Sequence, residues 1–411
     1  MNEMNHHTGI LAFVPDHWGD IWQSRHHVMR GLSEHFKVLW VSPPTYWHSW
    51  LKREGQTRLS GRGLRKVSDN FWTYAPYLPA DYKPRYTKQG LVPSCFRRYH
   101  AGWEQMHVAK IQRILKQMAV TNVILYLWRP EYGWCAGRFG EDLLCFHIDD
   151  EYTFNPLEDI PASEEEMMLL KRSDIVFIHS RSLMQKKGMS NPNTHYMPNG
   201  VDFDRYRRVM ETQTDEPPDL KEIPRPRIGY VGYIKRHIDL PLLLAIARAR
   251  RDWSIVLIGP VRTEHADVAD LVVQLQGEPN VYFLGGKPQS EIPAYVKGLD
   301  VCLMCYRETN YTKYIYPMKL HEYLACGKPV VATSLLNLKE FAGVLTFADG
   351  LAQWLAAMEM ALANSDSRSV NKRIAVARQN SWSSRVAYIA DHLAEQLPKH
   401  AYKRPEGGAD V

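Results

Sequence analysis

Short apolar runs alternate with helical patterns along the whole chain, and this alternation constrains the fold more than any other feature. In the first half, the runs GILAFVP, KVLWVSPP, NVILYLW, LLCFHI and DIVFIHS are separated by segments such as HHVMRGLSEHF and EEEMMLLKRS, which have helical spacing. Strands that are apolar throughout are typical of a parallel sheet covered by helices on both faces. The first half therefore predicts an open α/β sheet.

The same alternation starts again after a polar, proline-rich stretch, ETQTDEPPDLKEIPRPR (211–227). The strands RIGYVGY, WSIVLIGP, NVYFLGG, DVCLMCY and KPVVAT then alternate with helices such as DLPLLLAIARAR and EIPAYVKG. A chain of 411 residues is also too long for one ordinary core. We predict an α/β protein with two Rossmann-like, doubly wound domains that face each other across a cleft. Their expected bounds are 1–205 and 227–380, with a linker over 206–226 and a C-terminal helix over 381–400 that crosses back to the first domain.

Several classes of protein are disfavoured by composition. No apolar run approaches the roughly 20 residues of a transmembrane helix, and MNEMNHHTGILAFVPDHWGD does not resemble a signal peptide. The six cysteines are scattered, which does not suit a disulfide framework. Cys302 and Cys305 have metal-ligand spacing, but VCLMCY reads as a buried strand. We expect a cytoplasmic protein with no bound metal and no cofactor.

Positive charge is concentrated in one part of the first half. Residues 47–120 contain 14 Lys and Arg residues against four acidic residues, whereas the whole chain carries +6. Aromatic residues, among them Trp47, Trp50 and Trp103, are interleaved with these charges. This mixture suits a nucleic acid or an anionic membrane surface, and a solvated, loop-rich face is the plainer alternative.

Glycines end three strands of the second half, where open α/β sheets bind their ligands. Gly232 follows RIGYV and precedes Lys235 and Arg236, while Gly259 and Gly285 end the next two strands. A glycine allows close approach of the backbone to a ligand, and neighbouring cations suit a diphosphate. Together they favour a nucleotide pocket, although each alone is compatible with simple turn geometry.

The stretch YPMKLHEYLACGKPVVAT (316–333) places a lysine and a glutamate on one helix. With Pro317 at the first helical position, Lys319 lies in the first turn, where free N–H groups already favour an anion. Glu322 shares a face with Lys319, and its carboxylate can accept both hydroxyls of a ribose. The alternative is an ion pair between the two side chains on an ordinary amphipathic helix.

This stretch resembles a motif of the group 1 glycosyltransferases, nucleotide-sugar-dependent enzymes with the two-domain GT-B fold. MPNGVD, RIGYVGYIK, IVLIGP and the late NSWSSR also fall where that family has similar segments. The resemblance implies that Glu322 holds the ribose, that Lys319 with Lys235 or Arg236 binds the donor diphosphate, and that Gly232 and Gly285 admit the phosphates and base. Gly259 and Tyr316 complete the predicted donor-binding set.

One position departs from the family pattern. Many members have a second glutamate eight residues before the position of Glu322, where it touches the donor sugar. Here that position is Tyr314, and the nearest earlier carboxylate is Glu308. The departure leaves open whether transfer retains or inverts the anomeric configuration.

Carboxylates follow a strand of the first half that is expected to end at the cleft. In CFHIDDEY, Asp149, Asp150 and Glu151 come directly after the apolar run. A carboxylate there can deprotonate an acceptor hydroxyl, and membrane-associated glucuronosyltransferases of this fold look similar in having an aspartate at that place. We favour Asp150 over Asp149 as the catalytic residue; the alternative is that these acids only cap the loop. His17, Arg25 and His26, after the first strand, are predicted to line the acceptor side.

These observations predict a metal-independent glycosyltransferase that uses a UDP- or GDP-linked sugar and a hydroxyl of a lipid-linked glycan in cell-surface polysaccharide assembly. The GT-B resemblance favours residues 47–103 as a peripheral dock on an anionic membrane over a nucleic-acid patch. A nucleotide-sugar 2-epimerase of the same fold is one alternative, although it leaves the basic, aromatic segment unexplained. A non-catalytic GT-B partner protein is another, and the Tyr314 departure favours it.

Overall fold

The computed structural model describes residues 7–20, 22–43, 45–46, 63–78, 94–153, 161–212, 215–263, 265–363 and 366–401. Much of the basic and aromatic segment therefore lies outside the described residues, including Trp47, Trp50, Lys52, Arg53 and Arg62.

The first half forms an eight-stranded sheet in the order β10-β9-β8-β7-β1-β2-β5-β4. Its neighbouring strands are parallel except for β4 and β5, which pair antiparallel at one edge. A separate parallel pair joins the short strands β3 and β6. The strands are β1 (Thr8–Phe13), β2 (Lys37–Val41), β3 (Thr45–Tyr46), β4 (Gly63–Ser68), β5 (Phe71–Ala75), β6 (Tyr77–Leu78), β7 (Asn122–Leu127), β8 (Leu143–Ile148), β9 (Ile175–Ile178) and β10 (Thr194–Tyr196).

Helices cover both faces of this sheet. The central strands β1, β7 and β8 are almost wholly buried, as their continuous apolar sequences predict. The helices of this half are α1 (Ser24–Leu32), α2 (Ser94–Gln117), α3 (Glu164–Arg172) and α4 (Arg181–Lys187).

The second half forms a six-stranded, fully parallel sheet in the order β13-β12-β11-β14-β15-β16. Its strands are β11 (Arg227–Val231), β12 (Ser254–Ile258), β13 (Val281–Gly285), β14 (Val301–Met304), β15 (Val330–Ala332) and β16 (Thr346–Phe347). The helices that follow β10 are α5 (Phe203–Glu211), α6 (Pro218–Lys221), α7 (Leu240–Ala249), α8 (Ala266–Gln276), α9 (Ile292–Gly298), α10 (Lys319–Ala325), α11 (Gly350–Ala363), α12 (Ser367–Gln379) and α13 (Trp382–Ala401). The prediction of two doubly wound α/β sheets is confirmed.

The segment predicted as a linker is folded onto the second domain. It contains most of α5 and all of α6, and Leu220 and Ile223 are buried in the second core. The buried Arg227 guanidinium pairs with Glu216 and donates to the carbonyl oxygen of Ile223. The polar composition of 206–226 concealed these two apolar anchors, so the segment is a structured connection and not a loose tether.

The chain crosses between the domains twice, and the two crossings are hydrogen-bonded to each other. The Val201 N–H donates to the Asn380 carbonyl (3.0 Å), and the Trp382 N–H donates to the Val201 carbonyl (2.9 Å). Helix α13 then packs on α1 of the first domain, where Ile389 and Leu393 are fully buried. The two crossings thus form one hydrogen-bonded connection between the domains.

Helix α10 begins two residues later than the sequence predicts, at Lys319 and not at Pro317. The carbonyl oxygen of Tyr316 accepts a hydrogen bond from Asn199 Nδ2 (2.7 Å) of the first domain. That oxygen is therefore engaged across the domain boundary, and the first turn closes instead between Leu320 N–H and the Pro317 carbonyl (3.3 Å).

Within the described residues, the structure has no helix with the length and apolarity required to cross a membrane.

The buried histidines lead us to expect that the stability of the protein depends on pH. Burial lowers the pKa of four of them: His107 and His179 to about 4, and His147 and His321 to about 3. An unfolded chain binds protons at these sites below about pH 6.5, whereas the folded chain does not, so stability falls as pH decreases from 6.5 towards 4. We expect the melting temperature to fall steadily between pH 7.5 and 5. His321→Gln should reduce that slope and His35→Gln, at an exposed site, should not; a melting temperature independent of pH over this range would contradict the prediction.

Candidate active site

A cleft of about 290 Å³ lies between the two domains, at the carboxyl ends of their strands. Its first-domain wall comes from the start of α1 and from the residues that follow β7, β8 and β9. Its second-domain wall comes from the loops after β11 and β14 and from the start of α10. The lining residues are Gln23, Ser24, Arg25, Arg129, Asp149, Asp150, His179, Asn199, Tyr230, Tyr233, Lys235, His237, Tyr306, Tyr311, Ile315, Tyr316, Pro317, Met318 and Lys319.

Asp149 is held by two guanidinium groups on the first-domain wall. Arg129 NH1 lies 2.6 Å from Asp149 Oδ1, and Arg25 NH1 contacts Oδ2. The Asp149 side chain is only 3% exposed. Burial alone raises its pKa, but Arg129 and Arg25 outweigh that effect and hold the pKa well below its ordinary value. Asp149 is therefore a permanently ionised, fully engaged carboxylate that is poorly suited to accept a proton.

Asp150 has the opposite character. Its Oδ1 accepts the N–H of Glu151 (2.8 Å), and its Oδ2 accepts the hydroxyl of Tyr311 from the other domain (3.3 Å). Burial raises its pKa and the charge of Asp149 raises it further, against the opposing effect of Arg129. A carboxylate at a cleft wall with a raised pKa is a suitable general base, so the geometry separates the two aspartates that the sequence placed side by side.

Two lysines face this wall from the second domain. The Lys319 ammonium donates to the Tyr306 hydroxyl (3.0 Å) and lies over the Tyr230 ring, 5.0 Å from its centroid. The Lys235 side chain is exposed and faces the cleft. Partial burial by the cleft walls lowers the pKa of Lys235, and the positive charge of Lys319 lowers it further. Neither lysine forms an ion pair with a carboxylate in the described part of the chain. This wall therefore presents positive charge that an anionic ligand can neutralise.

Gly232 makes room for the Lys319 side chain. Its φ is +141°, and a Cβ at this position would lie 2.9 Å from Lys319 Cε and 3.0 Å from Lys319 Nζ. A side chain here would be both strained and in collision with the lysine. The glycine predicted from the sequence thus acts by positioning a cation.

The three predicted glycines and Arg236 are not among the residues that line the cleft. Gly259 packs directly against the carbonyl group of Gly232, and its N–H donates to the Gly285 carbonyl (2.8 Å). Gly285 has a φ of +68° and open space around its Cα. Arg236 is exposed beside Lys235. The three glycines therefore form one continuous backbone edge at the ends of β11, β12 and β13.

Glu322 lies one turn along α10 from Lys319, is half-buried and does not line the cleft. Burial raises its pKa, and the Lys319 charge opposes that effect. The alternative of an ion pair between the two side chains is not observed among the described contacts, since the Lys319 ammonium is directed to Tyr306 instead.

His17 and His26 do not line the cleft, although Arg25 does. The His26 ring is 0% exposed and packs against Trp18, Trp22 and Trp40. Its Nδ1 accepts the Gln23 N–H (3.1 Å) and its Nε2 donates to the His17 carbonyl (3.3 Å). The predicted acceptor-side role of His26 is therefore corrected: both ring nitrogens are occupied in holding the loop before α1.

Tyr314, at the position where the family pattern has a glutamate, faces the first domain. It is 6% exposed and belongs to the apolar cluster that lies between the first sheet and the helices α2, α3 and α4. The ammonium of Lys186, on α4, lies 4.9 Å from its ring centroid. The tyrosine at this position therefore packs against the first domain and beside a cation.

Arg129, His179 and Tyr311 are among the cleft residues that were not predicted from the sequence. Arg129 and His179 lie just beyond the ends of β7 and β9, so the rule that ligands bind beyond strand ends was sufficient to find them. Tyr311 lies in an irregular loop after β14, and its contact with Asp150 crosses the domain boundary. No local pattern signals such a contact.

Comparisons with known proteins agree with this architecture. The family model described as "Glycosyl transferases group 1" matches residues 225–368, the region of the second domain. A putative teichuronic acid biosynthesis glycosyltransferase, TuaH, of Bacillus subtilis (strain 168) is 27% identical over 250 residues, which cover 57% of this chain. The match spans 60% of the length of that relative.

Solved structures share the fold at low identity. HepE from Anabaena in complex with UDP has a TM-score of 0.65 at 15% identity and covers 94% of this chain and 100% of its own. A trehalose-6-phosphate structure from E. coli bound with UDP-2-fluoro glucose has a TM-score of 0.66 at 12% identity, covering 93% and 98%. Sucrose-phosphate synthase from Thermosynechococcus elongatus has a TM-score of 0.63 at 15% identity, covering 95% and 99%. The fold of this chain is GT-B, as the sequence predicts.

The different environments of Asp149 and Asp150 should give their Asn variants different thermal stabilities. Asp149→Asn removes the carboxylate shared by two guanidinium groups, and loss of one partner from a buried ion pair costs about 3–5 kcal/mol. We expect calorimetry to show a melting temperature lower by about 6 °C or more, at roughly 2–4 °C per kcal/mol. The matched variant Asp150→Asn should keep or raise the melting temperature, because burial disfavours the ionised form that it removes. Equal losses for the two variants would contradict the distinction.

Proposed function

We propose that the protein is a glycosyltransferase, because the family model of the group 1 glycosyl transferases matches residues 225–368 of its second domain. It moves a sugar from a nucleoside diphosphate to a hydroxyl of a glycan acceptor. The observation that carries the proposal is the cleft itself, which has Lys235 and Lys319 on one wall and Asp150 on the other. Glycosyl transfer requires groups that stabilise the leaving diphosphate and a group that removes the acceptor proton. The two lysines and the aspartate can serve these roles from opposite sides of the cleft.

The donor binds on the lysine wall. A diphosphate between Lys235 and Lys319 relieves the repulsion between the two ammonium groups and makes charge-assisted hydrogen bonds to both. The negative charge that develops on the departing diphosphate is met by these cations, so we propose transfer without a metal or other cofactor. Glu322 then takes the ribose on the same face of α10. UDP is the nucleotide in two of the similar structures, and we propose a UDP- or GDP-linked sugar.

The acceptor binds on the aspartate wall. Asp150 takes the proton of the acceptor hydroxyl as its oxygen bonds to the anomeric carbon, while the bond from that carbon to the diphosphate oxygen breaks. The diphosphate leaves with the bonding electrons, held by Lys235 and Lys319. A single displacement of this kind inverts the anomeric configuration, and it does not need the glutamate that Tyr314 replaces.

The acceptor is a growing, lipid-linked glycan of cell-surface polysaccharide assembly. This part of the proposal is supported by the relative from Bacillus subtilis, which is described as a teichuronic acid biosynthesis glycosyltransferase. It is also supported by the basic and aromatic segment 47–103 of the first domain, which suits an anionic membrane on the cytoplasmic side.

Vesicle flotation tests the membrane part. The protein should float with vesicles of phosphatidylglycerol and phosphatidylcholine at low salt and detach as ionic strength rises. A variant with Lys52, Arg53, Arg62 and Arg65 changed to Gln should lose most of this binding, at about 1 kcal/mol per residue. The matched control changes Arg248, Arg251, Lys339 and Arg368 of the second domain to Gln. Failure of the wild type to float, or equal loss in both variants, would contradict docking through 47–103.

Nucleotide binding tests the donor site. In a thermal-shift panel with UDP, GDP, ADP and CMP, we expect UDP or GDP to stabilise the wild type by about 2.7 kcal/mol at a hundredfold excess over Kd. Lys319→Ala and Glu322→Ala should each lose most of that shift, because they remove a diphosphate contact and the ribose contact. Lys339→Ala, an exposed lysine of the same domain, is the matched control and should retain it. Absence of any nucleotide-dependent shift in the wild type would contradict the proposed function.

A further inference from the structure

Tyr311 reaches across the cleft from the second domain to the candidate base in the first. Its hydroxyl donates to Asp150 Oδ2 over 3.3 Å. The other oxygen of this carboxylate, Oδ1, is occupied by the N–H of Glu151. The backbone and Tyr311 thus fix the carboxylate from two sides.

The loop that carries Tyr311 is held in place by its own hydrogen bonds. The N–H of Thr309 donates to Thr312 Oγ1 (2.8 Å), the N–H of Thr312 donates to Thr309 Oγ1 (3.1 Å), and Thr312 Oγ1 donates to the Arg307 carbonyl (2.6 Å). Thr312 is fully buried. Such reciprocal bonds between neighbouring residues hold a short loop in one conformation.

Both sides of the Tyr311 loop are anchored. The Tyr311 ring stacks on His237, with centroids 4.6 Å apart and an interplanar angle of 28°. Three residues later, Tyr314 is buried against the first domain. The hydroxyl of Tyr311 is therefore aimed by contacts on both domains, and it reaches Asp150 only while the cleft keeps this geometry.

We propose that Tyr311 is a positioning residue for the Asp150 carboxylate, which it orients and holds ready to receive the proton of the acceptor. This inference rests on the proposed function of Asp150. A carboxylate oxygen has two lone pairs, so Oδ2 can accept the Tyr311 hydroxyl and the acceptor hydroxyl together. The tyrosine thereby links the donor-binding domain to the base, and the base is fully arranged only when the two walls face each other.

The groups around Asp150 determine how its pKa changes when this hydrogen bond is lost. Asp149 and Arg129 face Asp150 from the first domain, and Lys235 and the Tyr311 hydroxyl face it from the second. A hydrogen bond to the ionised form favours that form. Without it, the remaining effects of burial and of Asp149 move the pKa of Asp150 upwards.

Tyr311→Phe is the test, because it removes one oxygen and keeps the ring that stacks on His237. The titration of the Asp150 carboxyl is followed by infrared spectroscopy. For each protein, the spectrum of its Asp150→Asn counterpart is subtracted, so that the difference reports Asp150 alone. The measurement needs no substrate. We expect Tyr311→Phe to shift this titration to higher pH. Tyr233→Phe is the matched control, since it removes a hydroxyl from the same wall with no contact to Asp150, and its titration should follow the wild type. An unchanged titration in Tyr311→Phe would overturn the inference.

Activity gives the second readout, with UDP-glucose and GDP-mannose as donors and water as acceptor, followed as release of UDP or GDP. We expect Tyr311→Phe to lower kcat by about tenfold, with the acid limb of its pH profile at higher pH and KM for the donor little changed. No further loss should occur when Tyr311→Phe is added to Asp150→Asn, and an additive loss would overturn the inference. If Asp150→Asn itself keeps the wild-type rate, the proposed base fails, whatever Tyr311 does. If neither donor is consumed, the infrared titration still decides the role of Tyr311.

Discussion

The bond between Asp149 and two guanidinium groups is the interaction on which the first-domain wall depends. Arg25 comes from the start of α1, Arg129 from the end of β7 and Asp149 from the end of β8. One ionised carboxylate therefore fixes three separate segments at the carboxyl edge of the sheet. Arg25 and Arg129 pair with Asp149, and Arg25 also pairs with Asp16. Burial and the charge of Asp149 raise the pKa of the adjacent Asp150, and the opposing effect of Arg129 does not outweigh them.

The second wall is held against the first by polar contacts that are themselves buried. Asn337, 1% exposed, accepts the Ser182 N–H through Oδ1 (3.1 Å) and donates through Nδ2 to the carbonyl groups of Lys313 and Ile315. Asn199 holds the Tyr316 carbonyl in the same way. An unpaired polar group at such a site is costly, so these contacts favour one arrangement of the domains. The loop of Tyr311, Tyr314 and Tyr316 is accordingly fixed by the first domain although it belongs to the second.

The electrostatic contrast across the cleft follows from this arrangement. Lys235 and Lys319 are close enough to repel each other, and the carboxylates that line the cleft lie on the opposite wall. Gly232 permits this placement, since any Cβ would displace the Lys319 side chain. Holding two cations together costs free energy, and an anion that binds between them offsets this cost, as the proposed diphosphate does.

The sequence by itself determined the two sheets, because apolar strands such as NVILYL and SIVLI are buried on both faces, and local pattern is sufficient to specify that. It also indicated Lys235 and the strand-end carboxylates, since strand ends meet at one edge of a parallel sheet, and Lys319, since a helix N-terminus favours an anion. Only the tertiary structure decided which aspartate is neutralised, because Arg25 and Arg129 are distant from Asp149 in sequence. The same holds for the burial of His26 among tryptophans, for the folding of 206–226 onto the second core and for the contact of Tyr311 with Asp150. Each of these depends on side chains from separate elements, and no periodicity along the chain encodes which of them meet.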